Sequence, residues 1–239
     1  MIAPTPDERR LTSNLELCAE GAIMDATKLL APTFGFYGKH FGFVRPEEGC
    51  KSVWVGAMSC GPEASCFGWP SWFTSLALIQ EDCLTWGAID WPMLNERLIS
   101  VDEGTFIERG SSGLALLPKL SNAEMQLRDC IIASGSPTSI RESCALSILG
   151  SEAMHVEVAF GIYAFSLLAK GTIDAVVECN ILPQVLMSVA PLLRGVGAVI
   201  TDWTGRETCT SRHIVAARSK SLATKIAATL SRPWLKHEH

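Results

Sequence analysis

Charge is scarce in this chain of 239 residues: Asp, Glu, Lys and Arg together make up 19%, against 48% hydrophobic residues. The 20 basic and 25 acidic residues give a net charge of −5, and neither sign gathers into a long run. That leaves no basic face for nucleic acid or for an anionic membrane surface. Basic residues interleaved with aromatics are also missing. No apolar stretch supplies the roughly twenty clean residues that a membrane span needs. Ala159–Ala169 is too short, and Leu182–Ile200 is broken by Gln184, Ser188, Pro191 and Arg194. The opening residues, MIAPTPDERRLTSNLEL, hold no apolar core of the signal-peptide kind. Cysteines number 9, an odd count, and none stands in a Cys-x-x-Cys pair. This argues against a disulfide scaffold and against a metal finger, and for small core residues in a reducing compartment. The expectation is a cytoplasmic protein without nucleic-acid or membrane partners.

What is present suffices for a large core. Ser13 followed by Glu16 fits a capping box, and Leu15, Ala19, Ile23, Ala26 and Leu30 recur at helical spacing, so a helix is predicted from Ser13 until Pro32 closes it. A connector rich in glycine and aromatics follows, TFGFYGKHFGFVRPEEG. Val53–Val55, Ser75–Ile79, Leu84–Ile89 and Arg97–Val101 then read as strands of an antiparallel meander, with QEDC and DEGT as turns. Residues 110–122 and 133–139 read as loops, which puts a boundary between an N-terminal α+β subdomain (1–125) and a C-terminal α/β subdomain (126–235). In the second, Cys130–Ala133, Ala175–Glu178 and Val199–Thr201 are predicted strands. Ser151–Lys170 (ended by Gly171), Val185–Arg194 and Ser219–Leu230 are predicted helices.

The stretch GTIDAVVECNILPQVLMSVAPLLRGVGAVITDWTG (171–205) resembles the inositol monophosphatase family, particularly its histidinol-phosphatase-like bacterial branch. Gly171, Asp174–Glu178, Pro183, Gly195, Gly197 and Asp202-Trp203-Thr204-Gly205 keep the family's places. Upstream, SVWVGAMSCGPEASCFGWP (52–70) is similar to the family's Val-Trp-Val-Leu-Asp-Pro-Ile-Asp-Gly-Thr followed by Gly-x-Pro. Residues 84–99 look like its next hairpin, and PEEG (46–49) looks like its Gly-Glu-Glu motif. The resemblance implies a layered αβαβα sandwich of the inositol monophosphatase and fructose-1,6-bisphosphatase kind, trimmed at the N-terminal part, and a homodimer.

The departures from the family carry the functional expectation. The family holds Mg²⁺ through a Glu, two Asp of the Asp-Pro-Ile-Asp loop with a carbonyl between them, and an Asp opening a later helix. On this sequence those positions fall on Glu47, Ala57, Cys60, Ser59 for the carbonyl, and Val185. A hard cation such as Mg²⁺ needs several oxygen ligands, and one Glu with one carbonyl is too few. The connector also looks too short for the family's Thr-x-Ala-Asp stretch, which helps activate water. The threonine after Gly61 has become Pro62, which lacks both hydroxyl and N–H. No metal and no cofactor are expected, and the phosphatase chemistry, which the metals carry, reads as lost.

Cys60 stands as a candidate thiol nucleophile, against the plainer reading of a small neutral replacement. Glu47 stands as a candidate general base, against a solvated turn. Arg194 either contacts an anionic ligand or caps its helix. His155 reads as a packed or partly exposed helical residue, His213 as the polar end of a strand, and Phe67, Trp69, Trp72 and Phe73 as pocket or core. The expectation is a former metal cleft repurposed for a small organic ligand. A non-catalytic dimeric scaffold and a residual phosphomonoester hydrolase are the alternatives.

Overall fold

Residues 6–59, 72–158 and 160–232 are described by the computed structural model, and the chain divides into two compact units. Met1–Leu116 with Gln184–Leu192 form the first unit, and Leu117–Pro183 with Leu193–His239 the second.

The first unit is built on an eight-stranded sheet of order β2-β1-β3-β4-β5-β6-β7-β8 among the described residues. Its strands are β1 (Gly35–Gly38), β2 (Gly42–Val44), β3 (Ser52–Ser59), β4 (Phe73–Gln80), β5 (Cys83–Trp91), β6 (Glu96–Val101), β7 (Gly104–Arg109) and β8 (Leu114–Leu116). From β3 onward neighbours run antiparallel, as the alternating sequence predicts, whereas β1 lies parallel to β3. The expected turn after β4 is a two-residue hairpin in which Glu81 and Asp82 both take positive φ, 48° and 63°. That geometry matches the twist of the flanking strands. Val55, Ala57, Phe73, Ala77, Ile89, Trp91, Leu98 and Ile107 form the buried side of the sheet.

Helix α1 (Pro6–Leu30) packs along β3. It starts well before Ser13, which therefore sits inside the helix rather than capping it. Pro6, fixed near helical φ and lacking an N–H, suits a first turn. The expected connector after α1 is in fact ordered: β1 and β2 make a hairpin with Phe36 opposite Val44 and Gly38 opposite Gly42. Likewise β8 forms inside the span read as loop 110–122.

Strand β5 comes unusually close to one helix. A Cβ on Gly87 would lie 2.2 Å from the Ser188 carbonyl oxygen, and Thr105 Oγ1 donates to the Leu192 carbonyl at 2.5 Å. Both partners belong to α4 (Pro183–Gly195), which opens on Pro183.

The second unit carries a five-stranded sheet of order β10-β9-β11-β13-β12 among the described residues. Its strands are β9 (Ile131–Ser134), β10 (His155–Glu157), β11 (Ala175–Glu178), β12 (Val199–Asp202) and β13 (Ile214–Ala217). Strands β10, β9 and β11 are parallel, and β13 is antiparallel to both β11 and β12. All four residues of β11 and of β13 are buried, which explains the apolar runs Ala175–Val177 and Ile214–Ala217. Helices α2 (Ile140–Glu152) and α5 (Lys220–Leu230) pack together, with Leu146, Leu149, Leu222 and Ile226 meeting Ile132, Val177 and Val215 in one core.

The helix expected over 151–170 does not exist as one element. Ala153 turns extended (φ −85°, ψ 158°) and ends α2, and His155–Glu157 then add a parallel edge strand to β9. Helix returns only at α3 (Ala164–Ala169). Gly171 does close that helix with a positive φ of 72°, as predicted.

Candidate functional site

In unit one the parallel pair β1/β3 aligns Gly35 with Val53, Phe36 with Trp54 and Tyr37 with Val55. The pairing ends at Tyr37 and Val55, two residues short of Lys39 in the β1–β2 turn and of Ala57 in β3. Ala57 is 1% exposed and its carbonyl accepts a hydrogen bond from Ser75 Oγ. Helix α1 lays two acids over the β1–β2 turn. Glu20, 1% exposed, accepts the backbone N–H of Lys39 at 3.1 Å and those of His40 and Phe41 at 2.9 Å. This close approach depends on Gly38, where a Cβ would meet the Glu20 carboxylate at 2.1 Å. One turn earlier, Glu16 Oε2 lies 2.7 Å from Lys39 Nζ and 3.3 Å from His40 Nε2. The result is a turn pinned by one carboxylate and an ammonium pinned by another.

Glu47 lies elsewhere. It is exposed, and its N–H donates to the Thr33 carbonyl, at the start of β1. Thr33 and Lys39 are six residues apart, roughly 20 Å along an extended chain. Mg²⁺–oxygen bonds are about 2 Å, so Glu47 and Ala57 do not sit around one ion. The turn that follows β1 carries Lys39, a cation. Val185, expected where a helix-opening Asp would be, is in the first turn of α4 and 1% exposed. Arg194 is in the last turn of that helix and exposed. Ser59 ends β3 opposite Phe73, while Cys60, Gly61, Pro62, Phe67 and Trp69 fall outside the described residues.

The donor set was tested against a divalent ion. Lys39, Ala57 and Val185 offer a positive charge and two hydrocarbons where oxygens are required. Among the described residues no group of three or more His, Cys, Asp or Glu could hold a metal. The residues present do not fit Mg²⁺.

Unit two gathers titratable groups at the C-terminal ends of its parallel strands. Glu178 follows Val177, which pairs with Ser134, and its carboxylate packs on Gly135. It is 8% exposed, has no hydrogen-bond partner among the described residues, and burial pushes its pKa up to about 7. Glu142 is the opposite case. It completes a capping box with Ser139, accepts from the Thr138 and Ser139 backbone, and bonds His213 Nε2 at 2.7 Å. Burial raises its pKa, but the His213 bond and the N–H donors outweigh that and hold it at about 2. His213 immediately precedes β13 and stacks edge-on to Trp203 at 5.2 Å. The exposed His155 side chain lies 3.1 Å from Glu157, two residues on along the same edge strand. The Asp202-Trp203-Thr204-Gly205 turn is held by Asp202 Oδ1, which accepts from Thr204 N, Thr204 Oγ1 and Arg206 N.

Sequence reasoning missed Glu16, Glu20, Lys39 and Glu178. Glu178 was already inside the Asp174–Glu178 motif, and Gly38-Lys39-His40 keeps the glycine-plus-two spacing of Gly-Glu-Glu.

No family model matches this chain. The chloroplastic bifunctional phosphatase IMPL2 of Arabidopsis thaliana is 28% identical over 211 residues, or 86% of this chain, and the chain spans 57% of that relative's length. An inositol monophosphatase from Anabaena (Nostoc) sp. PCC 7120 is similar in structure with a TM-score of 0.76 at 16% identity, covering 94% of this chain and 89% of that one. The extragenic suppressor protein suhB of Bartonella henselae has a TM-score of 0.75 at 21% identity, covering 92% and 89%. The mixed α/β fold expected from the sequence is therefore the fold of these two structural neighbours. Among the described residues no helix is long and apolar enough to cross a membrane. The chain is thus similar in sequence to a phosphatase and in fold to an inositol monophosphatase and a suhB protein.

Proposed function

We propose that this protein binds a small organic molecule without a divalent metal, in a fold whose Mg²⁺-dependent phosphatase chemistry has been lost. The observation that carries this reading is the Lys39–Glu16 ion pair in the turn that follows β1. Residues that share one Mg²⁺ must each bring an oxygen to about 2 Å from it, and Lys39 and Ala57 have an ammonium and a methyl group in place of carboxylates. Ser13-Asn14-Leu15-Glu16 also keeps the spacing of Thr-x-Ala-Asp, the stretch the connector was thought too short to contain. On this reading the carboxylate that would help activate water is Glu16, and it is neutralised by Lys39. Apolar Ala57 and Val185 leave no stranded buried charge where the ligands would be.

A second reading is retained phosphomonoester hydrolysis, favoured by the relative's being a bifunctional phosphatase. Calorimetric titration with Mg²⁺, beside phosphate release from several sugar and amino-alcohol phosphates, separates the two. The expected result is no Mg²⁺ heat and no release above the EDTA control. Micromolar Mg²⁺ binding with EDTA-sensitive turnover overturns the metal-free reading.

A further inference from the structure

We infer that Lys39 is the recognition group for an oxyanion, so that the ligand of the site carries a carboxylate or a phosphate; this rests on the metal-free reading above. The inference starts from how the turn is fixed. Glu20 binds three consecutive N–H groups, and Gly38 gives it the room to do so. The backbone of Lys39 is therefore preorganised before any ligand arrives. Glu16 then orients the side chain: its Oε2 takes one of the three ammonium protons at 2.7 Å. Two donors remain without a partner among the described residues, on a side chain that is 43% exposed while Glu16 is only 8% exposed.

Both acids around this ammonium already accept hydrogen bonds. Glu20 accepts three backbone N–H groups, and Glu16 accepts from Lys39, with His40 Nε2 3.3 Å away. Neither acid is left bare to attract a metal. Ala57 adds nothing polar, since its carbonyl already accepts from Ser75. The group with unused hydrogen-bonding capacity is the ammonium. Its position is the end of a parallel strand pair, where α/β sheets place ligands.

The test uses three matched probes in EDTA: glycerol 3-phosphate, glycerate and glycerol, titrated calorimetrically into wild type, Lys39→Gln and Lys39→Arg. Wild type is expected to bind one or both anions and not glycerol. A charge-assisted hydrogen bond predicts about tenfold or more weakening in Lys39→Gln, with Lys39→Arg staying within about threefold because the charge is kept. Which anion binds tells carboxylate from phosphate. If Lys39→Gln unfolds because Glu16 loses its partner, the double variant Glu16→Gln/Lys39→Gln, which leaves no unpaired carboxylate, takes its place. Glycerol binding as tightly as the anions, unchanged affinity in Lys39→Gln, or no binding of either anion overturns the assignment. Anion binding that appears only with Mg²⁺ and survives Lys39→Gln overturns the metal-free reading as well.

Discussion

Replacing Glu20 with glutamine tests whether the Lys39 turn is held as described. In wild type, Oε1 accepts from His40 N and Phe41 N, both at 2.9 Å, and Oε2 from Lys39 N at 3.1 Å. An amide has one oxygen. Its best orientation keeps the two Oε1 bonds and turns an NH₂ toward the Lys39 N–H, donor against donor. One bond to a charged group, ~1.5–3 kcal/mol, is lost, and the two that remain become neutral and weaken by roughly half. The sum is about 3 kcal/mol at a site only 1% exposed to water. For a chain of this length that corresponds to a fall in Tm of about 10 °C. Urea unfolding followed by far-UV circular dichroism and tryptophan fluorescence reads it directly. The spectrum at zero urea should be unchanged, and anion affinity should fall because the turn carrying Lys39 loosens. A loss of stability under about 0.5 kcal/mol would refute the reasoning, since it means that the turn does not depend on this carboxylate.

Two other outcomes follow from the packing and the titrations. Gly87→Ala should cost about 3 kcal/mol or more in urea unfolding, because its Cβ meets the Ser188 carbonyl at 2.2 Å and helix backbone cannot rotate away; a loss below about 1 kcal/mol contradicts that close approach. Glu178 has its folded pKa raised from 4.5 to about 7, so the folded state holds its proton longer than the unfolded chain does. Its contribution is therefore complete below pH 4.5 and is lost as pH rises to about 7. Glu178→Gln should flatten this decline relative to wild type when urea midpoints are compared from pH 4 to 8, and parallel profiles would sink the assignment.

Elements whose signal is local were legible in the sequence, and those decided by distant pairing were not. Ala175–Glu178 is predicted to the residue because a strand buried on both faces carries a continuous apolar run, here Ala175–Val177. The 84–89 and 97–101 strands appear inside β5 and β6 because alternation survives wherever one face is buried. Capping chemistry misled and was overlooked within one chain. Ser13-x-x-Glu16 has the spacing of a cap but lies mid-helix, while Ser139-x-x-Glu142 forms a complete capping box that opens α2, a helix the reading lacked. The span 151–170 is apolar enough for helix, yet the free edge of β9 recruits His155–Glu157, and nothing in those residues announces that edge.

The misplacement of the site has the same cause. PEEG shares two acids with Gly-Glu-Glu, and local likeness drew Glu47 into the site. Gly38-Lys39-His40, in the turn after β1, has the same glycine-plus-two spacing, and on the proposed reading it brings a positive charge where the motif has a negative one. The change bears on Glu16 as well. A carboxylate 6% exposed is costly without a counter-charge, and a bound divalent ion would supply one. Here Lys39 Nζ supplies it at 2.7 Å, covalently attached and present in every folded molecule. On the proposed metal-free reading, the buried Glu16 is tolerated because the Lys39 ammonium stands beside it. It follows that converting Ala57 and Val185 to aspartate while leaving Lys39 in place should not rebuild a metal centre. The ammonium already satisfies Glu16, and it repels the incoming cation from a few ångströms away.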